Sequence, residues 1–125
     1  MSGLPPSPER LTLGERVLKA FDPDGALAST IDAFETRSGQ RNMAVAVADI
    51  FESGGALLAE AGTGTGKTLA YLIPALLSGH RVLVSTGTKN LQEQLYFKDL
   101  PLLHEALNIP FKATYMKGRN NYLCL

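Results

Sequence analysis

The sequence lacks several features that would narrow its function quickly. Among its 125 residues there are one cysteine, no tryptophan and no net charge, because 12 basic side chains balance 12 acidic ones. A single cysteine excludes an internal disulfide and favours a reducing, cytoplasmic location. The balanced charge gives no sign of a basic nucleic-acid-binding surface, so such a partner must be argued from local motifs.

Long apolar segments are also missing. The longest apolar run, residues 69–77, is about half as long as a membrane span. The N-terminal residues MSGLPPSPER contain no apolar core of a secretory signal. We therefore expect no membrane partner and interpret residues 69–77 as part of a buried helix.

What the sequence does contain is a glycine-rich loop, AGTGTGKT. Its alternating glycines let the backbone turn several N–H groups toward one anion. The lysine can stabilise charge on the β- and γ-phosphates of ATP, and the last threonine can ligate Mg²⁺. The predicted ATP-binding residues are Ala61, Gly62, Thr63, Gly64, Thr65, Gly66, Lys67 and Thr68, of which Lys67 and Thr68 carry the catalytic roles. Ala61 stands where the usual pattern has glycine, and a glycine-rich turn that binds nothing is the alternative.

Strands and helices are predicted to alternate around this loop. We predict strands at residues 56–60, 81–86 and 111–116, and helices at residues 40–52, 67–78, 89–98 and 102–107. An apolar stripe is expected on the first of these helices, formed by Met43, Val47, Ile50 and Phe51. A capping box at Thr12 predicts an earlier helix through Ala20, followed by a turn at residues 22–25. The alternation favours an α/β fold with a parallel sheet, and three strands are so few that we expect a fragment.

Three motifs occur in order: EAGTGTGKT at residues 60–68, STGTKNLQEQL at residues 85–95 and YMKGRNNYLC at residues 115–124. Together they resemble the start of a DinG/XPD-type iron-sulfur helicase of superfamily 2, in particular its bacterial YoaA-like branch. In this family alanine is common at the first position of the loop. The resemblance implies a P-loop NTPase fold, with a RecA-like parallel sheet and flanking helices, present here as a partial motor domain. That domain is expected at residues 21–125, truncated at the start of the iron-sulfur region, after a flexible tail and short helix at residues 1–20.

The function implied by the resemblance is that of an ATP-dependent DNA helicase, an enzyme of DNA repair. ATP hydrolysis would drive movement on single-stranded DNA and the unwinding of duplexes and junctions, while the fragment alone would turn over little or no ATP. Two alternatives share the loop: a P-loop ATPase or kinase unrelated to nucleic acids, and a non-enzymatic nucleotide-binding module.

The resemblance also assigns roles to residues outside the loop. It implies adenine contacts for Phe34, Arg37 and Gln40, although a helix start with a buried phenylalanine and a solvated arginine has the same pattern. Contacts with the backbone of single-stranded DNA are implied for four polar residues after the second strand: Thr86, Thr88, Asn90 and Gln92. Helix capping and a solvated face are the alternative for these four.

The cysteine at position 124 has two interpretations. Taken alone, Cys124 fits a small buried hydrophobe. The resemblance makes it the first of four cysteines that hold a 4Fe-4S cluster in the full-length protein.

Overall fold

The structure is a computed structural model that describes residues 11–30, 38–60 and 66–116. The chain divides into two compact units, Met1–Arg81 and Val82–Leu125. In the described part of the first unit the helices are α1 (Leu13–Phe21), α2 (Ala26–Thr30), α3 (Ser38–Ser53) and α4 (Lys67–Ser78). The second unit contains α5 (Lys89–Gln94), a π-helical turn (Leu95–Asp99) and α6 (Leu100–Leu107).

Helix α1 begins at the predicted capping box. The Thr12 hydroxyl accepts a hydrogen bond from the Glu15 backbone N–H at 3.1 Å, and the Glu15 carboxylate accepts one from the Thr12 N–H at 3.2 Å. These two bonds satisfy backbone donors that a helix start otherwise leaves unpaired. The predicted turn follows, with the Gly25 N–H donating to the Asp22 carbonyl at 2.8 Å. Both predictions are therefore confirmed.

Helix α3 packs through small side chains. It lies against both α1 and α4, and its buried residues Gln40, Ala44 and Ala48 recur at every fourth position. The small side chains on this face let the neighbouring helices approach α3 closely. The predicted apolar stripe lies beside this buried face and not on it. Its four side chains are only half-buried and line an open groove of about 540 Å³: Met43, Val47, Ile50 and Phe51.

Helix α4 has the predicted bounds. It begins at Lys67 and ends at Ser78, where Gly79 takes the left-handed conformation that commonly terminates helices. Leu72 and Ile73 are buried in the core of the first unit. The largest other fully buried side chains of this core are Val17, Phe21, Leu27 and Pro74.

The predicted strands are not formed in the described residues. Residues 56–60, 81–86 and 111–116 take neither helix nor strand. A strand needs a hydrogen-bonded neighbour and a covered apolar face, whereas Leu58 is 101% and Leu83 is 94% exposed. The parallel sheet of the predicted α/β fold is therefore unconfirmed.

The second unit corrects the predicted helix ends around Pro101. We predicted one helix ending before this proline and another beginning after it, but the helical run is continuous from Lys89 to Leu107. Proline has no N–H to donate to the fourth residue before it, and its ring crowds that carbonyl. The wider turn at residues 95–99, where the Leu100 N–H donates to the Leu95 carbonyl, lets the helix pass this position.

The part of the chain that the structure describes contains no helix that is both long and apolar enough to cross a bilayer.

Candidate nucleotide-binding site

The start of α4 is the described part of the predicted phosphate-binding loop. Gly66 precedes the helix in the left-handed conformation, with φ of 75° and ψ of 35°. Lys67 and Thr68 occupy the first two helical positions, with Lys67 exposed and Thr68 half-buried. No side chain among the described residues caps this helix start. The start of α4 therefore presents backbone N–H groups, the positive end of the helix dipole and one lysine, and this combination is suited to binding an anion.

Gln40 on α3 holds this helix start in place. Its Nε2 donates to the Gly66 carbonyl at 3.2 Å, and the same carbonyl accepts the Ala70 N–H at 3.2 Å. Gln40 is 6% exposed, and its Oε1 is buried without a hydrogen-bond partner in the described structure. A buried polar atom without a partner costs free energy. This oxygen is thus an acceptor that a bound group could satisfy.

Gly66 is required here for two separate reasons. A positive φ is strained for any residue with a Cβ. A Cβ at position 66 would also lie 2.0 Å from Nε2 and 2.9 Å from Cδ of Gln40. Only glycine permits both the turn and the buried carboxamide.

Sequence reasoning missed this contact between α3 and α4. The motif resemblance implied an adenine contact for Gln40, and the structure adds a hydrogen bond from its side chain to Gly66 at the start of α4. The signal was present in the spacing of Gln40, Ala44 and Ala48, which places the glutamine on the face of α3 that packs against α4. Several predicted site residues lie outside the described residues: Phe34, Arg37, Ala61, Gly62, Thr63, Gly64, Thr65 and Cys124.

The predicted DNA-contact residues lie in the second unit, and the side chains of three of them make hydrogen bonds within that unit. The Thr88 hydroxyl caps α5 by accepting the Leu91 N–H at 3.2 Å, and the Thr86 hydroxyl donates to the Thr88 carbonyl at 3.1 Å. Gln92 donates through Nε2 to the Met116 carbonyl at 2.6 Å. Asn90 is exposed on the first turn of α5. Helix capping, the alternative interpretation, therefore describes what Thr88 does in this structure, whereas Thr86 bonds to the residue that caps the helix.

One carboxyl of the second unit is perturbed. Burial raises the pKa of Asp99 above its ordinary value of 3.8, and the charge of nearby Lys98 lowers it by less. The Oδ2 atom of Asp99 is buried and has no hydrogen-bond partner among the described residues. Across residues 11–30, 38–60 and 66–116, no group of three His, Cys, Asp or Glu side chains could hold a metal ion.

Comparison with known protein families identifies the family to which the chain belongs. The model of the DEAD/DEAH box helicase family matches residues 40–121, a range that contains Gln40, the glycine-rich loop and α5. The chain therefore belongs to the DEAD/DEAH box helicase family. No solved structure matches the chain significantly.

Curated relatives show which helicases of this family the chain is similar to. The ATP-dependent DNA helicase YoaA of Escherichia coli strain K12 is 54% identical over 105 residues, covering 84% of this chain and 16% of that protein. YoaA of Haemophilus influenzae is 47% identical over 110 residues, covering 88% and 17%. The ATP-dependent helicase DinG of Mycobacterium tuberculosis strain H37Rv is 50% identical over 97 residues, covering 71% and 15%. The resemblance predicted from the three motifs is confirmed, and the chain spans 15–17% of the length of these three relatives.

Proposed function

We propose that this chain is part of an ATP-dependent DNA helicase that couples ATP hydrolysis to movement on single-stranded DNA and to duplex unwinding. Residues 21–125 would belong to its first RecA-like motor domain, after the tail and short helix of residues 1–20. The family match across residues 40–121 and the names of the relatives support this proposal. A P-loop ATPase unrelated to nucleic acids is less favoured, because the match extends well beyond the loop.

The observation that carries the proposal is the start of α4, held by Gln40. Its uncapped N–H groups suit phosphate oxygens, Lys67 suits the charge that grows on the β- and γ-phosphates, and the Thr68 hydroxyl suits Mg²⁺. MgATP supplies the phosphoryl group whose transfer to water drives the motor. The residues present fit this ligand, because an anion at the helix start would pair with donors that no side chain of the described residues caps.

Gln40 would serve the nucleotide in two ways. One N–H of its carboxamide already donates to the Gly66 carbonyl, which fixes the turn before Lys67. The unpaired Oε1 remains to accept a hydrogen bond from the exocyclic amine of adenine. In this proposal, base recognition and the geometry of the phosphate site depend on one side chain.

A parallel sheet would complete the motor domain. The three predicted strand segments carry apolar side chains that are exposed here, among them Leu58 at 101%, Leu83 at 94% and Met116 at 80%. Pairing these segments with each other and with further strands would cover that surface. We therefore retain the RecA-like sheet as part of the proposal.

Two further parts of the proposal concern DNA and iron. Thr86, Thr88 and Asn90 lie at the start of α5, where hydroxyl, amide and backbone donors suit the phosphates of single-stranded DNA or a DNA junction. Cys124 would be the first cysteine ligand of a 4Fe-4S cluster in the full-length protein, and the other ligands would come from outside this chain.

Nucleotide binding and turnover test the central claim. Lys67→Ala should abolish ATP hydrolysis by the full-length protein while leaving its fold intact, because Lys67 is exposed and does not contribute to the core. MgATP should raise the melting temperature of the unmodified protein, since a ligand that binds only the folded state stabilises it. The same nucleotide concentration should give the Lys67→Ala variant a much smaller rise.

Lys19→Ala is the matched control. Lys19 is an exposed lysine of the same unit, near the end of α1, so this change removes one positive charge without touching the loop. Its turnover and its melting-temperature rise should equal those of the unmodified protein. Near-normal ATP hydrolysis by Lys67→Ala would refute the proposed function.

A further inference from the structure

Helix α5 and the π-helical turn that follows it are joined to residues 113–116 within the second unit by two side chains four positions apart. Gln92 donates to the Met116 carbonyl at 2.6 Å, and the Tyr96 hydroxyl donates to the Ala113 carbonyl at 3.4 Å. The ring of Tyr96 also contacts that of Tyr115, with centroids 4.6 Å apart. These contacts hold the end of the described chain against the helix that carries the proposed DNA contacts.

The hydrogen bond from Gln92 is the shortest of these polar contacts. Residues 111–116 form no strand in the described structure, so the Met116 carbonyl receives no sheet hydrogen bond there. The side chain of Gln92 is the donor that satisfies it. A carboxamide can donate two hydrogen bonds, and here one of them is committed to the chain itself.

We propose that Gln92 is a positioning residue that ties residues 113–116 to α5 and contributes to DNA binding through this tie, without touching the DNA. The DNA part of this inference rests on the proposed function. Thr88 caps the helix and Asn90 lies on its first turn, so both depend on where α5 is held. If the tie fixes α5, DNA bound at the helix start must in return stabilise residues 111–116, because coupling between two sites is reciprocal.

The test compares Gln92→Met with Gln94→Met in the full-length protein. Methionine matches glutamine in length and has no N–H donor. Gln94 is exposed on the same helix, which makes it a control for the change of residue type. Two quantities are measured: the affinity for oligo(dT), and the hydrogen exchange of residues 111–116 with and without oligo(dT).

Gln92→Met should speed exchange in residues 111–116 and weaken oligo(dT) binding, each by about 2- to 13-fold, the range expected for one neutral hydrogen bond. Oligo(dT) should slow exchange in this segment of the unmodified protein and should do so far less in Gln92→Met. Gln94→Met should behave like the unmodified protein in both measurements. Gln92→Glu brings a carboxylate toward the Met116 carbonyl, and the two groups repel each other. It should therefore speed hydrogen exchange in residues 111–116 more than Gln94→Glu does.

Two results would overturn the inference, and a third would overturn the proposed function on which its DNA part rests. Weaker oligo(dT) binding by Gln92→Met without faster exchange in residues 111–116 would mean that Gln92 contacts DNA directly. Faster exchange with unchanged affinity would mean that the tie is structural only. If the unmodified protein does not bind oligo(dT), the proposed function itself fails, whereas the exchange measured without DNA still reports on the tie.

Discussion

Replacing Gly66 by alanine would test how the nucleotide site is built. The change adds a Cβ at φ of 75°, which costs roughly 1–2 kcal/mol in the left-handed region. It also places that Cβ 2.0 Å from Nε2 of Gln40, so the carboxamide must move and lose its bond to the Gly66 carbonyl. Losing one hydrogen bond adds about 0.5–1.5 kcal/mol. Gly66→Ala should therefore lower the free energy of unfolding by about 1.5–3.5 kcal/mol.

A second glycine of the same helix separates these two costs. Gly79, at the other end of α4, has φ of 72°, and a Cβ added there would meet no heavy atom within 4 Å. Gly79→Ala should therefore show the backbone cost alone, about 1–2 kcal/mol. In a Gln40→Ala background the collision disappears, so Gly66→Ala should then cost no more than Gly79→Ala.

Urea denaturation of the chain, followed by circular dichroism, measures these free energies. The four variants needed are Gly66→Ala, Gly79→Ala, Gln40→Ala and the double substitution at positions 40 and 66. If Gly66→Ala costs the same with and without Gln40, the two residues are not coupled and Gln40 does not lock the helix start. Equal costs at positions 66 and 79 in the otherwise unmodified chain would count against the coupling in the same way.

Two other variants give independent checks. Asp99→Asn should stabilise the second unit, and the gain should increase as pH rises above about 4. The raised pKa of Asp99 means that folding disfavours its ionised form, so the stability of the unmodified protein falls as this carboxyl loses its proton. Urea denaturation at several pH values measures the difference in stability, and a pH-independent difference would contradict the prediction. Cys124→Ser in the full-length protein should remove most of its bound iron, because a cluster depends on all of its thiolate ligands. The measurement is the iron content per protein, and unmodified protein purified without iron would contradict the proposal that Cys124 is a cluster ligand.

Local signals in the sequence predicted the parts of the fold that depend on neighbouring residues. The capping box at Thr12 and the bounds of α4 between Gly66 and Gly79 follow from hydrogen bonds and backbone angles within a few residues. The predicted break in the helix at Pro101 was wrong because a wide helical turn before a proline can accommodate it without ending the helix.

Contacts between distant segments could not be predicted in the same way. Which face of α3 is buried depends on how closely α4 approaches. The buried face is the one that carries Ala44 and Ala48, and not the one with the larger apolar side chains. The Gln40 carboxamide meets Gly66 across 26 positions of sequence, and Gln92 meets Met116 across 24. Motif resemblance singled out Gln40, Thr88 and Gln92, but it could not say which atoms their side chains contact.

The proposed nucleotide site and the proposed sheet depend on different contacts in this structure. The start of α4 is fixed by its packing on α3 and by the bond from Gln40 to Gly66, neither of which involves a strand. The segments predicted as strands are meanwhile exposed, so their apolar side chains contribute little to the core described here. If helix packing alone sets the geometry before Lys67, changes at Gln40 should weaken MgATP binding even where the sheet is incomplete. If changes at Gln40 left the affinity for MgATP unaltered, the sheet and not α3 would be what positions α4 for the proposed phosphate contacts.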